Sequence, residues 1–104
     1  MSDKAKFKIG QIIRHRLFDY MGVVFDIDPF FQGTEEWYEQ VATSHPPKNK
    51  PWYYVLVHVA EHSTYVAEQN LDLEKNPKAI QHPLVNSFFT KFNGLQYHLK
   101  SKLN

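Results

Sequence analysis

Alternation of apolar and polar side chains in residues 21–28 constrains the fold of this chain more than any other feature. Val23, Phe25 and Ile27 occupy every second position of that stretch. Because successive side chains of a β-strand point to opposite faces, the pattern predicts a strand that buries these three side chains on one face. Residues 11–16 read as a second strand beside it, so the chain is expected to be built on β-structure.

Two glycines and a proline frame this pair of strands. Gly10 precedes the first strand and Gly22 begins the second, and neither carries a Cβ that would hinder a tight turn or a close backbone approach. Pro29 ends the second strand because it has no N–H for the ladder. The connecting residues 17–20 are largely apolar, and we expect them to pack over one end of the fold; exposed, they would form a binding loop.

The second half of the sheet is predicted from residues 52–73. Residues 52–59 form the most apolar run and read as a central strand covered on both faces. A turn at 60–63 leads to an antiparallel partner at 64–67, and residues 68–73 supply a 3₁₀ turn and a short last strand. Four or five strands suffice to close a small barrel.

Two helices are predicted outside the strands. Thr34 caps a brief acidic helix in residues 34–42, and a solvated loop with three prolines follows at 43–51. The second helix covers residues 82–93, where a proline lies in the first turn, apolar side chains recur at helical spacing and Gly94 ends the pattern. An exposed apolar stripe on this helix would favour a homo-oligomer, and a buried one would not.

Length and composition indicate one small domain. The 104 residues include 15% aromatic side chains, which fill a compact core with few residues, and no Cys, which excludes disulfides and thiolate sites. No apolar run approaches about 18 residues, so we expect neither a membrane span nor a signal peptide, and a cytoplasmic location is the default. The expected organisation is a flexible N-terminus at 1–6, a domain at 7–93 and a basic tail at 94–104.

Charge is segregated along the chain although the net charge is only +1. Residues 1–16 hold five Lys or Arg against one acid, residues 17–45 hold six acids and no Lys or Arg, and residues 46–104 hold seven Lys or Arg against four acids. Basic side chains on and before the first strand would present a stripe to phosphates. The alternative is a solvated edge strand whose charges prevent aggregation. The candidate DNA-binding residues are Lys6, Lys8, Arg14 and Arg16.

An aromatic and acidic block follows the second strand, between two turns that contain proline. Trp and Tyr are enriched at the energetic centres of protein interfaces, so this block is the candidate protein-facing surface. The candidate protein-binding residues are Phe30, Phe31, Trp37 and Tyr38. The alternative for Trp37 is that it packs on the barrel.

No catalytic, cofactor or metal site is predicted. His58 and His62 have a zinc-binding spacing, but that spacing serves a helix, and here it spans a strand and a turn. Asp26 and Asp28 have no partner group for acid–base chemistry and are expected to face solvent. Four scattered glycines form no phosphate-binding loop. We therefore expect a binding protein and not an enzyme.

An ordered series of short motifs resembles the HspQ, or YccV-like, family of hemimethylated-DNA-binding proteins. The likeness covers residues 6–98, and the series is far more specific than any one motif. The motifs are, in chain order, GQIIRHR at 10–16, YMGVV at 20–24, DIDP at 26–29, EW at 36–37, PWYYVLV at 51–57 and YVAEQNL at 65–71. Segments 30–51 and 82–93 resemble more closely the branch shared with a domain of eukaryotic F-box proteins.

The resemblance implies a mainly β fold, namely a small SH3-like antiparallel β-barrel, here with a short loop helix and a C-terminal helix. It also implies a heat-shock-linked protein that binds hemimethylated double-stranded DNA. A further implied role is to direct denatured or specific client proteins to degradation by the Lon protease. The alternative is a generic small-barrel module that binds proteins and does not bind DNA.

Overall fold

The computed structural model describes residues 4–100, and its architecture is mainly β, as predicted. A 3₁₀ turn, Glu68–Asn70, joins β4 to β5. The other elements are, in chain order, β1 (Ile12–His15), β2 (Met21–Asp28), α1 (Glu35–Val41), β3 (Trp52–Val57), β4 (Ser63–Ala67), β5 (Leu71–Leu73), α2 (Val85–Phe88), β6 (Phe89–Phe92) and β7 (Tyr97–Leu99). No helix within residues 4–100 is long and apolar enough to cross a membrane.

The main sheet of the described residues is antiparallel and curled. Its five strands follow the order β4-β3-β2-β1-β5, so β4 and β5 lie at opposite edges. In a flat sheet those edges would be about 19 Å apart, which is four strand spacings of about 4.8 Å. The 3₁₀ turn is the only connection between them, and four residue steps reach at most about 14 Å. The sheet must therefore curl on itself, as a small SH3-like barrel requires.

Two glycines permit the close approaches that this curl needs. A Cβ on Gly22 would lie 2.5 Å from Val55 Cγ1 and 2.6 Å from the carbonyl oxygen of Leu56. Gly10 has a φ of 98°, and a Cβ there would collide with the carbonyl of Tyr97. The prediction that these glycines serve close backbone approach is confirmed.

Both faces of the sheet are buried. Neighbouring residues of one strand belong to different clusters, because side chains alternate between faces. One cluster contains Ile12, Val23 and Leu56 and is covered by Val85, Phe89 and Tyr97 from the C-terminal segment. The other contains Ile13, Val24, Tyr53, Val55, Val66 and Leu71 and fills the inside of the curl. The C-terminal segment thus covers a face of the sheet that would otherwise be apolar and exposed.

A β-bulge interrupts the alternation in β2. The pairing of β2 with β3 shifts between Val24 and Asp26, which leaves Phe25 as the extra residue. Phe25 packs against the cluster of Val23, whereas Ile27 packs against the opposite cluster. The prediction that Phe25 and Ile27 share a face is therefore wrong, because one inserted residue exchanges the two faces of a strand.

The C-terminal helix is shorter than predicted. It covers Val85–Phe88, and Phe89–Phe92 continues as a strand that pairs with Tyr97–Leu99. The side-chain oxygen of Asn93 accepts hydrogen bonds from the N–H groups of Leu95 and Gln96, which closes the connecting turn. A helix over 82–93 is thus wrong in extent. The domain limits stay predictions, but residues 97–99 of the expected tail form β7, and residues 1–3 and 101–104 lie outside the described range.

Candidate functional site

Arg14, one of the predicted DNA-binding residues, is held by acids of its own chain. Its Nε lies 2.5 Å from Glu74 Oε1, and its Nη1 lies 3.2 Å from Asp19 Oδ1. The hydrogen bond that Arg14 donates to Glu74 is the main cause that raises the pKa of Arg14. Burial alone would raise the pKa of Glu74, but hydrogen bonds from the Asn76 N–H and from Arg14 outweigh it and lower that pKa. The guanidinium of Arg14 is therefore engaged in ion pairs within the chain.

Arg16 also faces an acid on β5. Its Nε lies 3.5 Å from Asp72 Oδ2, and its Nη1 donates a hydrogen bond to the carbonyl oxygen of Gln69. Because β5 pairs with β1, the acids Asp72 and Glu74 stand beside the two arginines. The positive charge expected on this face is largely balanced by its neighbour strand.

The lysines lie elsewhere, and they converge. Among the described residues, Lys4, Lys6 and Lys50 line a cavity of about 420 Å³ together with Pro47, Ala67, Glu68 and Gln69; we call it the lysine cleft. Arg14 and Arg16 line a different cavity with Asp19, Asp72 and Glu74, which we call the arginine cavity. The predicted basic stripe is thus divided into two parts. Lys8 is exposed and lines neither cavity, while its N–H binds the Gln11 side chain.

Sequence reasoning missed Lys4 and Lys50 as members of this site. The floor of the cleft explains how distant segments meet there: Glu68 accepts hydrogen bonds from the Lys6 N–H at 2.9 Å and from the Tyr53 hydroxyl. Lys50 precedes a buried proline at the start of β3, so its position is fixed by the sheet. No sequence signal joins positions 4 and 50, because their proximity depends on the curl.

Three of the four predicted protein-binding residues belong to one aromatic cluster. The ring of Phe31 lies 6.0 Å from Trp37, 5.3 Å from Tyr38, 4.8 Å from Trp52 and 5.9 Å from Tyr65, measured between ring centroids. Tyr38 is buried, and Phe31 and Trp37 are half-buried. Trp37 thus packs on the sheet with part of its ring, as the alternative expected, and leaves the rest exposed.

Phe30 stands outside that cluster. Its side chain is 52% exposed, next to the half-buried Phe31. The structure assigns it no packing role within the described residues, so protein binding at Phe30 stays a prediction.

The prolines after α1 are anchored to the aromatic cluster. The Tyr38 hydroxyl donates to the carbonyl oxygen of Pro46 at 2.6 Å, and Trp52 Nε1 donates to that of Pro47 at 3.1 Å. Pro46 and Pro51 are buried. The prediction of a solvated loop at 43–51 therefore agrees with most of its residues and is wrong for Pro46 and Pro51.

The loop between β1 and β2 is exposed, and the prediction that it packs over the fold is wrong for its first half. Leu17 is 61% and Phe18 is 72% exposed. Their N–H groups both donate to Nδ1 of His15 at 3.1 Å, which winds the backbone tightly and directs the side chains outward. Burial lowers the pKa of His15, so its ring is neutral and able to accept. Tyr20 alone packs inward, with its hydroxyl 2.7 Å from Thr64 Oγ1.

This loop forms one wall of an apolar groove of about 420 Å³, which we call the β4 groove. The end of α1 with Val41, which is 55% exposed, forms the opposite wall. Every residue of β4 lines the groove, and Trp37, Trp52 and Tyr65 of the aromatic cluster border it. An exposed apolar surface of this kind marks a site where other molecules bind.

Residues 5–96 match the family described as hemimethylated DNA-binding protein YccV like. The chain belongs to this family. The matched residues include the lining of the arginine cavity and, apart from Lys4, that of the lysine cleft. The family is one of DNA-binding domains and is not a known family of enzymes. Similar proteins include F-box only protein 21 of Homo sapiens and of Pongo abelii, each 31% identical over 93 residues. Those 93 residues are 88% of this chain but only 15% of each relative.

The carboxylates of this YccV-like domain have separate environments. Asp26 is exposed, whereas Asp28 Oδ2 accepts hydrogen bonds from the hydroxyls of Tyr54 at 3.1 Å and Tyr65 at 2.7 Å. Burial, and then the hydrogen bond to Asp28, raises the pKa of both tyrosines. The prediction of a solvent-facing pair is wrong for Asp28, which ties β2 to β4. No group of three metal-ligating side chains occurs within residues 4–100.

Proposed function

We propose that this YccV-like chain is a non-enzymatic protein that binds hemimethylated duplex DNA, with phosphates held at the lysine cleft. The observation that carries the proposal is the convergence of Lys4, Lys6 and Lys50 on one cavity. Contacts between Lys or Arg and phosphates supply most of the sequence-independent affinity for DNA. The family match supports DNA as the ligand.

The pairing of the arginines with acids counts against them as the phosphate contacts. Arg14 would have to leave Glu74, whose side chain is only 8% exposed, before it could hold a phosphate. An unpaired carboxylate in that position would be poorly solvated, which makes the exchange unfavourable. Among residues 4–100, the cleft contains one acid, Glu68, which accepts hydrogen bonds from the Tyr53 hydroxyl and the Lys6 N–H.

The test is fluorescence anisotropy of a labelled duplex methylated on one strand, with an unmethylated twin of the same sequence. We expect binding that prefers the methylated duplex and is weakened in a Lys4→Gln, Lys6→Gln, Lys50→Gln variant. The matched control replaces the exposed Lys78, Lys91 and Lys100, which changes the net charge equally outside the lysine cleft and the arginine cavity.

Equal weakening in the two triple variants would show that only overall charge matters and would contradict the cleft. Equal affinity for the two duplexes would contradict recognition of hemimethylated DNA.

A second proposed function is delivery of denatured or specific client proteins to the Lon protease during heat stress in the cytoplasm. It is supported by the resemblance and by the exposed apolar walls of the β4 groove. Purified Lon should degrade a heat-denatured client faster when this chain is added. Unchanged client turnover over a range of chain concentrations would contradict the proposal.

A further inference from the structure

We infer that the β4 groove binds an extended polypeptide segment, which adds to the sheet as a strand along the free edge of β4. The inference deepens the second proposed function, on which it rests for the biological use of a protein ligand. It assigns the ligand a place, a backbone conformation and a charge pattern.

Strand β4 has an open edge within the described residues. It is the outer strand of the sheet order β4-β3-β2-β1-β5, and its one strand partner within the described residues is β3. All of Ser63–Ala67 lines the groove. An edge strand presents unpaired backbone N–H and C=O groups, which are a template for another strand.

The register shows which backbone groups face the groove. The Val57 N–H donates to the carbonyl oxygen of His62, so this pair is hydrogen-bonded. Hydrogen-bonded and non-hydrogen-bonded pairs alternate in an antiparallel ladder, so Thr64 and Val66 direct their backbone groups toward β3. Ser63, Tyr65 and Ala67 direct theirs to the open edge. A bound strand can therefore pair with alternate residues over the length of β4.

The walls of the β4 groove are apolar. Leu17 and Phe18 on one side and Val41 on the other are each more than half exposed. A strand places every second side chain on one face, so alternate apolar side chains of the ligand would contact these walls. The fixed turn at His15 holds Leu17 and Phe18 in place before the ligand arrives.

The charges around the groove are mainly negative. Within residues 4–100, no Lys, Arg, Asp or Glu lines the groove. Exposed acids stand next to lining residues along the chain, namely Glu36 before Trp37 and Glu39 two residues before Val41. Glu61 likewise precedes β4 by two residues. The exposed bases Arg16, before Leu17, and Lys48, two residues after Pro46, are each paired with an acid. The ligand chemistry that fits is an extended segment of alternating apolar residues flanked by Lys or Arg.

The experiment uses a labelled peptide of alternating valine and threonine with lysines at both ends, titrated with the full chain. A second peptide of the same sequence carries N-methyl groups on alternate backbone nitrogens, which blocks pairing with β4. A third has glutamates in place of the lysines. We expect binding of the first peptide alone, with backbone amide shifts at Ser63, Tyr65 and Ala67 in NMR spectra.

Two variants locate the site. Phe18→Ser with Val41→Ser should weaken binding at least about tenfold, since apolar anchors of an interface cost more than about 1 kcal/mol when truncated. Both side chains are mostly exposed, so the fold should persist. The control is Leu95→Ser, an exposed apolar residue outside the groove, which should leave affinity unchanged.

Equal binding of the N-methylated peptide, or no binding of the first peptide, overturns the inference. The assay contains no protease, so it separates the two claims. Peptide binding without faster client turnover would keep strand addition and remove the Lon proposal. Faster client turnover without peptide binding would keep the Lon proposal and remove strand addition.

Discussion

Removal of two cleft lysines should flatten the salt dependence of DNA binding. If Lys4, Lys6 and Lys50 each neutralise one phosphate, the logarithm of the affinity should fall with the logarithm of salt with a slope of about −2.7, at about 0.9 per phosphate. A fourfold rise in salt then weakens binding about 40-fold. In Lys4→Gln, Lys50→Gln the slope should be about −0.9, and the same rise should weaken binding only about 3.5-fold.

The assay is an anisotropy titration of the hemimethylated duplex at several salt concentrations. The paired control, Lys78→Gln with Lys91→Gln, removes two exposed charges outside both basic cavities and should keep the slope of the unmodified chain. The reasoning is refuted if the control flattens the slope as much as the cleft variant does. It is also refuted if the cleft variant leaves the slope unchanged.

Three further predictions concern the fold that positions these surfaces. Gly22→Ala should cost about 1–3 kcal/mol through its clash with Val55, and a melting point lowered by less than about 4 °C would contradict this. Phe89→Ala should cost about 3–5 kcal/mol in chemical denaturation, because Phe89 is 1% exposed under the sheet; a cost below about 1 kcal/mol would mean that the hairpin is not packed there. Burial lowers the pKa of His15 in the folded chain. The contribution of neutral His15 to the free energy of unfolding is therefore complete above its unfolded pKa of about 6.5, and it is lost as the pH falls through the lower pKa of the folded chain. Acid should therefore lower the melting point of the unmodified chain, and of a His62→Gln control, more than that of His15→Gln; equal losses would refute this.

The strands of the main sheet were predictable because their patterns are local. Alternation marked β2, an unbroken apolar run marked β3, and Gly22 marked a close approach that the structure confirms. The bulge at Phe25 was not predictable, because the alternation of apolar and polar residues in β2 does not reveal where the pairing with β3 shifts.

The C-terminal hairpin was missed although the sequence contains a signal for it. Apolar residues at 84, 85, 88, 89 and 92 fit a helix, and that spacing decided the prediction. Asn93-Gly94, followed by apolar residues at every second position from Leu95, is typical of a hairpin turn and its returning strand. Burial of Phe89 against the sheet decides in favour of the strand.

The binding surfaces were only partly predictable. Aromatic residues close in sequence were correctly grouped, because Phe31, Trp37 and Tyr38 lie on one short segment. Which basic side chains are paired with acids depends on contacts between residues distant in sequence, since Glu74 reaches Arg14 only through the register of β5 with β1. Without that register, the arginines that pair with acids and the lysines of the cleft look equivalent in the sequence.

The most direct test of the central claim is an NMR titration of the ¹⁵N-labelled chain with the hemimethylated duplex. We predict that amide shifts concentrate at Lys4, Lys6 and Lys50, which line the lysine cleft, and spare Arg16 and Leu73 in the arginine cavity. Shifts that concentrate at Arg16 and Leu73 and leave the lysine cleft unchanged would contradict it.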